Sequence, residues 1–182
     1  MAGVNRGLSV WSPTRRLRHP VGVIETDVVQ LVQRLPGVHV VRAGRDNGAP
    51  EIAWGDSFFF YDPDDVGESA RRQPFATIVT KDYGEFDAAS DLDRPGVFRV
   101  NVAVGRRAFE QLFGHPAPEH AEHSGDYDYA ELDRLLPHPV YATQGWVCVL
   151  NPGTRSASQL ESLLADAHAL AAERYRRRGY ES

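Results

Sequence analysis

The clearest pattern in the sequence is Asp91-Leu-Asp-Arg-Pro-Gly-Val-Phe-Arg-Val-Asn-Val-Ala-Val-Gly105, which joins an Arg-Pro-Gly turn to a strictly alternating segment. From Phe98 onward, apolar side chains occupy every second position, and Arg99, Asn101 and Ala103 lie between them. Alternation with a period of two predicts a β-strand that places one face in the core. The function depends on what the guanidinium of Arg99 and the amide of Asn101 contact on the opposite face.

Length and composition predict one globular domain without disulfides. The chain has 182 residues, 42% of them hydrophobic, which is enough for a substantial core. Its single cysteine, Cys148, excludes an internal disulfide and a cysteine-based zinc site. No apolar run approaches the roughly 18 residues of a membrane helix, and no hydrophobic segment follows the Arg-rich N-terminus to form a signal peptide. We therefore expect a cytoplasmic protein that does not associate with membranes.

The distribution of charge argues against nucleic acid as a partner. The net charge is −5, and eight of the 20 basic residues lie in the first twenty and the last ten positions. The segment between these two ends is therefore strongly acidic. Binding to a phosphate backbone requires a basic face, which only the two ends of the chain could supply.

Hydrophobic periodicity and capping residues predict an α+β fold. The predicted helices span residues 24–35, 106–113, 128–136 and 158–177. The predicted strands span residues 38–41, 52–54, 57–61, 75–80 and 98–104, with Gly55-Asp56 as a hairpin turn, and a last strand is formed by residues 140–141 and 145–150. We expect a mainly antiparallel sheet with the N-terminal and the long C-terminal helix packed on one face. Residues 1–20 lack periodicity and are predicted to be a disordered extension, so that the single domain spans residues 21–178.

Four motifs together resemble a known family. They are Phe58-Phe-Phe-Tyr-Asp-Pro63, Pro74-Phe-Ala-Thr-Ile-Val79, Leu92-Asp-Arg-Pro-Gly-Val-Phe-Arg-Val-Asn101 and His138-Pro-Val-Tyr141 with Trp146-Val-Cys-Val-Leu-Asn-Pro152. They resemble an uncharacterised domain family common in actinobacteria, over roughly residues 24–177. Because that family has no known function, the resemblance implies no activity.

The C-terminal part is more distantly similar to the last strand and helix of the MmcQ/YjbR-like proteins. The similar segment runs from Trp146 through Leu163-Leu-Ala-Asp-Ala-His-Ala-Leu170. This resemblance implies a small α+β fold, and some of those proteins have been proposed to bind DNA. A shared fold does not transfer a function, and the acidic body of this chain disfavours that role.

The sheet face opposite the helices is the predicted location of a site. The helix-facing layer is predicted to consist of Phe58, Phe60, Ile78, Val100, Val102, Val147 and Val149. The opposite face is predicted to carry Phe59, Tyr61, Thr77, Arg99, Asn101, Trp146 and Cys148. Aromatic walls with a few hydrogen-bonding groups are typical of a small-molecule pocket, and we predict ligand contacts from Arg99, Asn101, Trp146, Tyr61 and Thr77. A shift of one residue in any strand would move its side chains to the other face.

Arg99 has two interpretations that the sequence leaves open. A buried guanidinium requires an anion beside it. That anion is either a carboxylate of the preceding acidic loop, Asp91 or Asp93, or a bound anionic ligand. Pairing of the side chain entirely by loop carboxylates would contradict the second interpretation.

The histidines suggest two further arrangements. His115, His120 and His123 lie in one loop, and we expect them to be solvated rather than to bind a metal, because a metal site holds its ligands rigidly. His138 lies between two prolines near Tyr141, and it either locks the turn through the backbone or acts as a general base with a carboxylate such as Asp93.

No sequence motif indicates a cofactor. We find no P-loop, no dinucleotide fingerprint and no Gly-x-Ser-x-Gly, and we predict neither a cofactor nor a metal. Cys148 lies within a strand between two valines, where an inert thiol is expected. Three functions follow as hypotheses: a binding module for a small molecule, in particular an anionic one, on the polar face of the sheet; an acid–base enzyme using His138 and Asp93; and a weak DNA-binding protein.

Overall fold

The structure, a computed structural model, describes residues 23–64 and 73–179. The predicted disordered extension, residues 1–20, lies outside the described residues. Within the described ranges the fold is α+β, as expected, with one antiparallel sheet. No helix in these ranges combines the length and the apolar character needed to cross a bilayer.

The sheet has six strands in the order β1-β2-β3-β4-β6-β5. Their bounds are β1 Val38–Arg42, β2 Ser57–Tyr61, β3 Ala76–Val79, β4 Arg99–Ala103, β5 Leu135–Pro137 and β6 Trp146–Leu150. All neighbouring pairs are antiparallel. The alternating segment forms β4, which lies between β3 and β6. Its polar side chains therefore project from a strand that is paired on both sides.

Helices cover one face of the sheet. The bounds are α1 Glu25–Gln33, α2 Arg106–Phe113, α3 His120–His123 and α4 Ala157–Gly179. Val28 of α1, Phe109 of α2 and Leu164 of α4 belong to the same buried cluster as Val100 and Val102 of β4. Burying such side chains contributes roughly 1.5–3 kcal/mol each, which explains why the apolar face of β4 lies under the helices.

Two predicted elements are wrong, and the last strand begins only at Trp146, because Val140 and Tyr141 lie in a turn. Residues 51–53 form a single turn of 3-10 helix instead of a strand, and β2 pairs with β1 and β3. Asp56, expected in a hairpin turn, is instead buried, and its carboxylate accepts hydrogen bonds from Thr80. The predicted helix at 128–136 is also absent, because Asp133 adopts a positive φ of 55° and the residues after Arg134 pair with β6.

The two faces of β2 are exchanged relative to the prediction. Phe59 is completely buried in the helix-side core, and Phe58 lines the opposite face. Tyr61 packs edge-on against His168 and Tyr175 of α4. Three consecutive phenylalanines carry no alternation, so the sequence offered no signal for the register of this strand.

A carboxylate from outside α4 caps the N-terminus of that helix. Asp133 accepts hydrogen bonds from the backbone N–H groups of Gly153 (2.7 Å), Arg155 (3.1 Å) and Ser156 (3.0 Å), and from the Ser156 hydroxyl (2.6 Å). Burial opposes the charged carboxylate, but these hydrogen bonds outweigh burial and lower the pKa of Asp133. The interaction ties α4 to the segment that precedes β5.

Replacing Asp133 with alanine is expected to reduce the free energy of unfolding by about 2 kcal/mol, the upper end for a lost helix cap. The Asp133→Asn variant is the matched control, because asparagine tolerates positive φ and retains one acceptor oxygen. Urea unfolding should show a clearly smaller loss of unfolding free energy for Asp133→Asn than for Asp133→Ala. Equal losses for the two variants would show that the one acceptor oxygen that asparagine retains does not contribute.

Candidate functional site

A pocket of about 520 Å³ lies on the sheet face opposite the helices. Side chains of β2, β3, β4 and β6 form its floor, and the segments around residues 50–53, 83–87 and 138–144 form its walls. Its rim is apolar and partly exposed: the side chains of Phe86, Ile52 and Tyr141 are 65%, 48% and 37% exposed. Volumes of roughly 300–1,000 Å³ are usual for small-molecule sites.

The floor is a connected row of polar side chains on adjacent strands. Thr77 of β3 lies directly across from Asn101 of β4, and the Asn101 amide donates to the Thr77 hydroxyl (2.9 Å). The Arg99 Nε–H donates in turn to the Asn101 carbonyl oxygen (2.8 Å). Each of these three residues is at least nine-tenths buried. Their positions follow from the alternation of β4, which places Arg99 and Asn101 on one face.

Asp87 is the ionic partner of Arg99. The Arg99 side chain is fully buried and donates from Nη1 to Asp87 Oδ1 (2.9 Å) and to Ser90 Oγ (2.8 Å), and from Nη2 to Asp87 Oδ2 (2.5 Å). Burial disfavours the charged guanidinium, but the hydrogen bonds and charge of Asp87 outweigh it and raise the pKa of Arg99. A fork-to-fork pair of this kind combines strong hydrogen bonding with a fixed geometry.

The segment that carries Asp87 is held in place at several points. Tyr83 donates to the buried Asp56 carboxylate, and its backbone N–H donates to the Asp87 carbonyl (3.1 Å). Arg94 donates to the carbonyls of Ser90 (3.1 Å) and Ala130 (3.1 Å). Asp87 is therefore positioned by the fold and not only by its attraction to Arg99.

His138 has a ring orientation fixed by its own turn. The backbone N–H groups of Val140 and Tyr141 both donate to its Nδ1 (3.0 and 3.1 Å). Because Nδ1 accepts these bonds, a neutral ring carries its proton on Nε2. Burial, with a contribution from the Arg99 charge, lowers the pKa of His138 well below its usual value. The ring is thus neutral at neutral pH, with an Nε2–H donor at the pocket floor.

Most of the predicted ligand contacts lie together in the pocket. Its lining includes Arg99, Asn101, Trp146, Thr77 and also His138. Tyr61 is on the helix side, as described above. Asp93 does not line the pocket: it is exposed and accepts a hydrogen bond from the Asp82 backbone N–H (3.2 Å).

Three residues of the site, Asp87, Phe86 and Tyr141, were not predicted from the sequence. The expected partners of Arg99 were Asp91 and Asp93, but the structure pairs it with Asp87. The acidic loop offers several carboxylates at similar distance along the chain, and nothing in the sequence distinguishes them. The apolar Phe86, next to Asp87 in a polar loop, was the signal available for this wall.

Cys148 is close to the site but closed off from it. It is fully buried on β6, across from Leu136 of β5, and its thiol lies 3.5 Å from the carbonyl of Pro137. Burial raises the pKa of this thiol to about 12, against a partial opposing effect of Arg99. A group that holds its proton so firmly does not supply a nucleophile at neutral pH.

Two of the three loop histidines are buried rather than solvated, which corrects the expectation for them, and the side chain of the third, His123, is 41% exposed. His115 and His120 are buried, and His123 stacks on His115 with ring centroids 4.1 Å apart. Nε2 of His115 lies 3.1 Å from Nδ1 of His120, whose Nε2 lies 2.8 Å from the Tyr129 hydroxyl. The ring nitrogens thus face each other in a chain. In the part of the chain that the structure describes, no group of three or more His, Cys, Asp or Glu side chains is placed to hold a metal ion.

Comparison with known proteins adds a family but no activity. No curated protein and no solved structure gives a significant match. One family model, described as a family of unknown function, matches residues 23–180, which is most of the chain and includes every residue of the pocket. The chain therefore belongs to the family of unknown function DUF6194.

Proposed function

We propose that this protein is a binding module for a small molecule, held in the pocket between the polar floor and the apolar rim. The observation that carries this proposal is the combination of a 520 Å³ cavity, buried hydrogen-bonding groups at its floor and exposed apolar side chains at its mouth. Exposing the apolar side chains of this rim to water is unfavourable. A ligand that covers them removes that surface from water, which contributes to its binding free energy.

The charge of the floor favours a ligand that is uncharged where it meets Arg99. Asp87 neutralises the guanidinium, and protein acceptors occupy four of its five N–H groups. An anion at this point would add a charge without a free cation to balance it, which is costly in a buried site. The proposed ligand is therefore neutral, or carries its charge away from the floor.

The hypothesis of an acid–base enzyme receives less support from the geometry of the pocket. A general base requires a free lone pair within reach of the substrate, but Nδ1 of His138 accepts two backbone N–H groups. The proposed carboxylate partner, Asp93, lies outside the pocket. The DNA-binding hypothesis gains no specific observation.

Filling the mouth of the pocket is expected to weaken ligand binding strongly without unfolding the protein. Gln144 lines the pocket and is exposed, so the Gln144→Trp variant places a large ring in the cavity at little cost to the core. We expect its affinity for aromatic fragments to fall about tenfold or more, because the indole occupies the space the fragment needs. Saturation-transfer NMR with neutral, anionic and cationic aromatic fragments measures this loss.

The matched control is Gln111→Trp, which adds the same ring at an exposed glutamine of α2 outside the pocket. It should bind the fragments as the unaltered protein does. If both variants lose binding equally, or if no fragment binds the unaltered protein, the pocket is not a ligand site.

A further inference from the structure

Two buried N–H donors converge at the floor of the pocket. Nε2 of His138 lies 3.4 Å from Nη2 of Arg99. The hydrogen bonds to Nδ1 place the ring proton on Nε2, so this contact is between two donors and is not a hydrogen bond. His138 is only 2% exposed, and among the described residues no acceptor bonds to its Nε2–H.

The alternative tautomer fits the surrounding groups less well. With the proton on Nδ1, Nε2 could accept from Arg99 at 3.4 Å. That choice would direct a proton at the two backbone N–H groups of Val140 and Tyr141, at 3.0 and 3.1 Å. Two good hydrogen bonds would be exchanged for one long one, and unsatisfied buried donors are costly.

The spacing of the two nitrogens suits a single acceptor atom. An oxygen at about 2.9 Å from each of two nitrogens 3.4 Å apart completes a triangle with ordinary hydrogen-bond lengths. A carbonyl oxygen has two lone pairs and accepts two such bonds. Asp87 already balances the Arg99 charge, so the acceptor need not be an anion.

We propose that the pocket recognises uncharged aromatic carbonyl compounds, whose carbonyl oxygen accepts from both the His138 Nε2–H and the Arg99 Nη2–H. This inference rests on the proposed function and names the ligand class for the same pocket. Trp146 and Tyr141, whose ring centroids are 6.4 Å apart, line the cavity beside His138 and contact the aromatic body. The thiol of Cys148 does not attack this carbonyl, because it is buried and protonated.

Matched naphthalenes test the ligand class. The probes are 2-acetonaphthone, with a neutral carbonyl, 2-ethylnaphthalene, of similar shape without an acceptor, and 2-naphthoate, an anion. We expect 2-acetonaphthone to bind about tenfold more tightly than 2-ethylnaphthalene, as one to two net hydrogen bonds allow. It should also bind more tightly than 2-naphthoate. Long-range ¹H–¹⁵N NMR of the histidine rings should show the Nε2–H tautomer at His138 and a shift of that signal on binding.

The His138→Asn variant isolates the donor. The asparagine carbonyl can accept the backbone N–H groups that Nδ1 accepts now, but its side chain is too short to reach the position of Nε2. We expect the preference for 2-acetonaphthone over 2-ethylnaphthalene to shrink to about twofold or less. Affinity for 2-ethylnaphthalene, which forms no hydrogen bond to Nε2, should change less than affinity for 2-acetonaphthone, and urea unfolding checks that the variant is folded.

The outcomes separate the two levels of the proposal. Equal affinity for 2-acetonaphthone and 2-ethylnaphthalene overturns the carbonyl inference and leaves the binding pocket standing. Tightest binding of 2-naphthoate does the same. An Nδ1–H tautomer in the unaltered protein overturns the inference without any variant. Failure of all three probes to bind overturns both the inference and the proposed function.

Discussion

The Asp87→Asn variant is expected to lose about 3–5 kcal/mol of unfolding free energy, the usual effect of removing one partner from a buried ion pair. The substitution would keep the size of the side chain but leave the Arg99 guanidinium charged in a fully buried position. The arginine cannot relieve this by losing its proton, because its pKa is too high. Urea unfolding at neutral pH measures the loss.

The control for this prediction is Asp91→Asn in the same loop. Asp91 also pairs with an arginine, Arg94, at 3.3 Å, but its side chain is 63% exposed. Exposed pairs contribute roughly 0–1 kcal/mol, and asparagine tolerates the positive φ of 48° at this position. A loss in Asp87→Asn no larger than in Asp91→Asn would contradict a structural role for the buried pair.

Removing both charges of the Arg99–Asp87 pair should reduce the free energy of unfolding less than removing the Asp87 charge alone. In the double variant Arg99→Met with Asp87→Leu, no uncompensated charge remains, and such replacements of buried pairs are often nearly neutral. Retained stability with lost binding of 2-acetonaphthone would assign the pair to recognition. A double variant as unstable as Asp87→Asn would instead show that the network with Ser90 and Asn101 is needed for folding.

Much of the fold was predictable where the sequence carries a clear period. The strict alternation from Phe98 to Val104 predicted β4 and both of its faces correctly. The helix at residues 106–113 was predicted with its bounds, because an apolar stripe ends at Gly114, whose φ is 77°. These elements depend on local sequence alone.

The sequence failed where distant contacts override local preference. Asp128 and Glu131 satisfy the rule for a capping box, but the following residues are the edge strand β5, paired with β6. The register of β2 depends on its pairing with β1 and β3, which the run of phenylalanines does not encode. Local signals are weak evidence wherever a tertiary pairing competes.

The strand residues of the site were predictable from local sequence, but their partners were not, because the partners depend on distant contacts. Arg99 and Asn101 follow from the alternation of β4, and His138 from the rigidity of its flanking prolines. The choice of Asp87 over Asp91 and Asp93 depends on the path of a loop that Tyr83 and Arg94 hold in place. The role of His138 as a donor depends on its tautomer, which two backbone N–H groups determine.

Acidification below pH 6.5 is expected to destabilise the protein through its buried histidines. Burial, with the Arg99 charge, lowers the pKa of His138, and burial, with His115 and His123, lowers the pKa of His120. The unfolded chain therefore binds protons below about pH 6.5 that the folded chain does not. Stability falls as the pH drops below 6.5 and stops falling below the folded-state pKa, with a limit of about 1.4 kcal/mol per pH unit for each histidine.

The His138→Asn variant assigns its share of this pH dependence. Urea unfolding at pH 7.5, 6.5 and 5.5 should show a shallower loss for the variant, because it lacks the group that must stay neutral. Asp56, whose pKa burial raises, gives the opposite trend near acidic pH, but it is present in both proteins and cancels in the comparison. Parallel stability curves for the two proteins would show that His138 titrates normally when folded. A protonated His138 would keep its Nε2–H but lose the Nδ1 lone pair that accepts from the backbone N–H groups of Val140 and Tyr141, and these two hydrogen bonds hold the ring in the orientation on which carbonyl recognition depends.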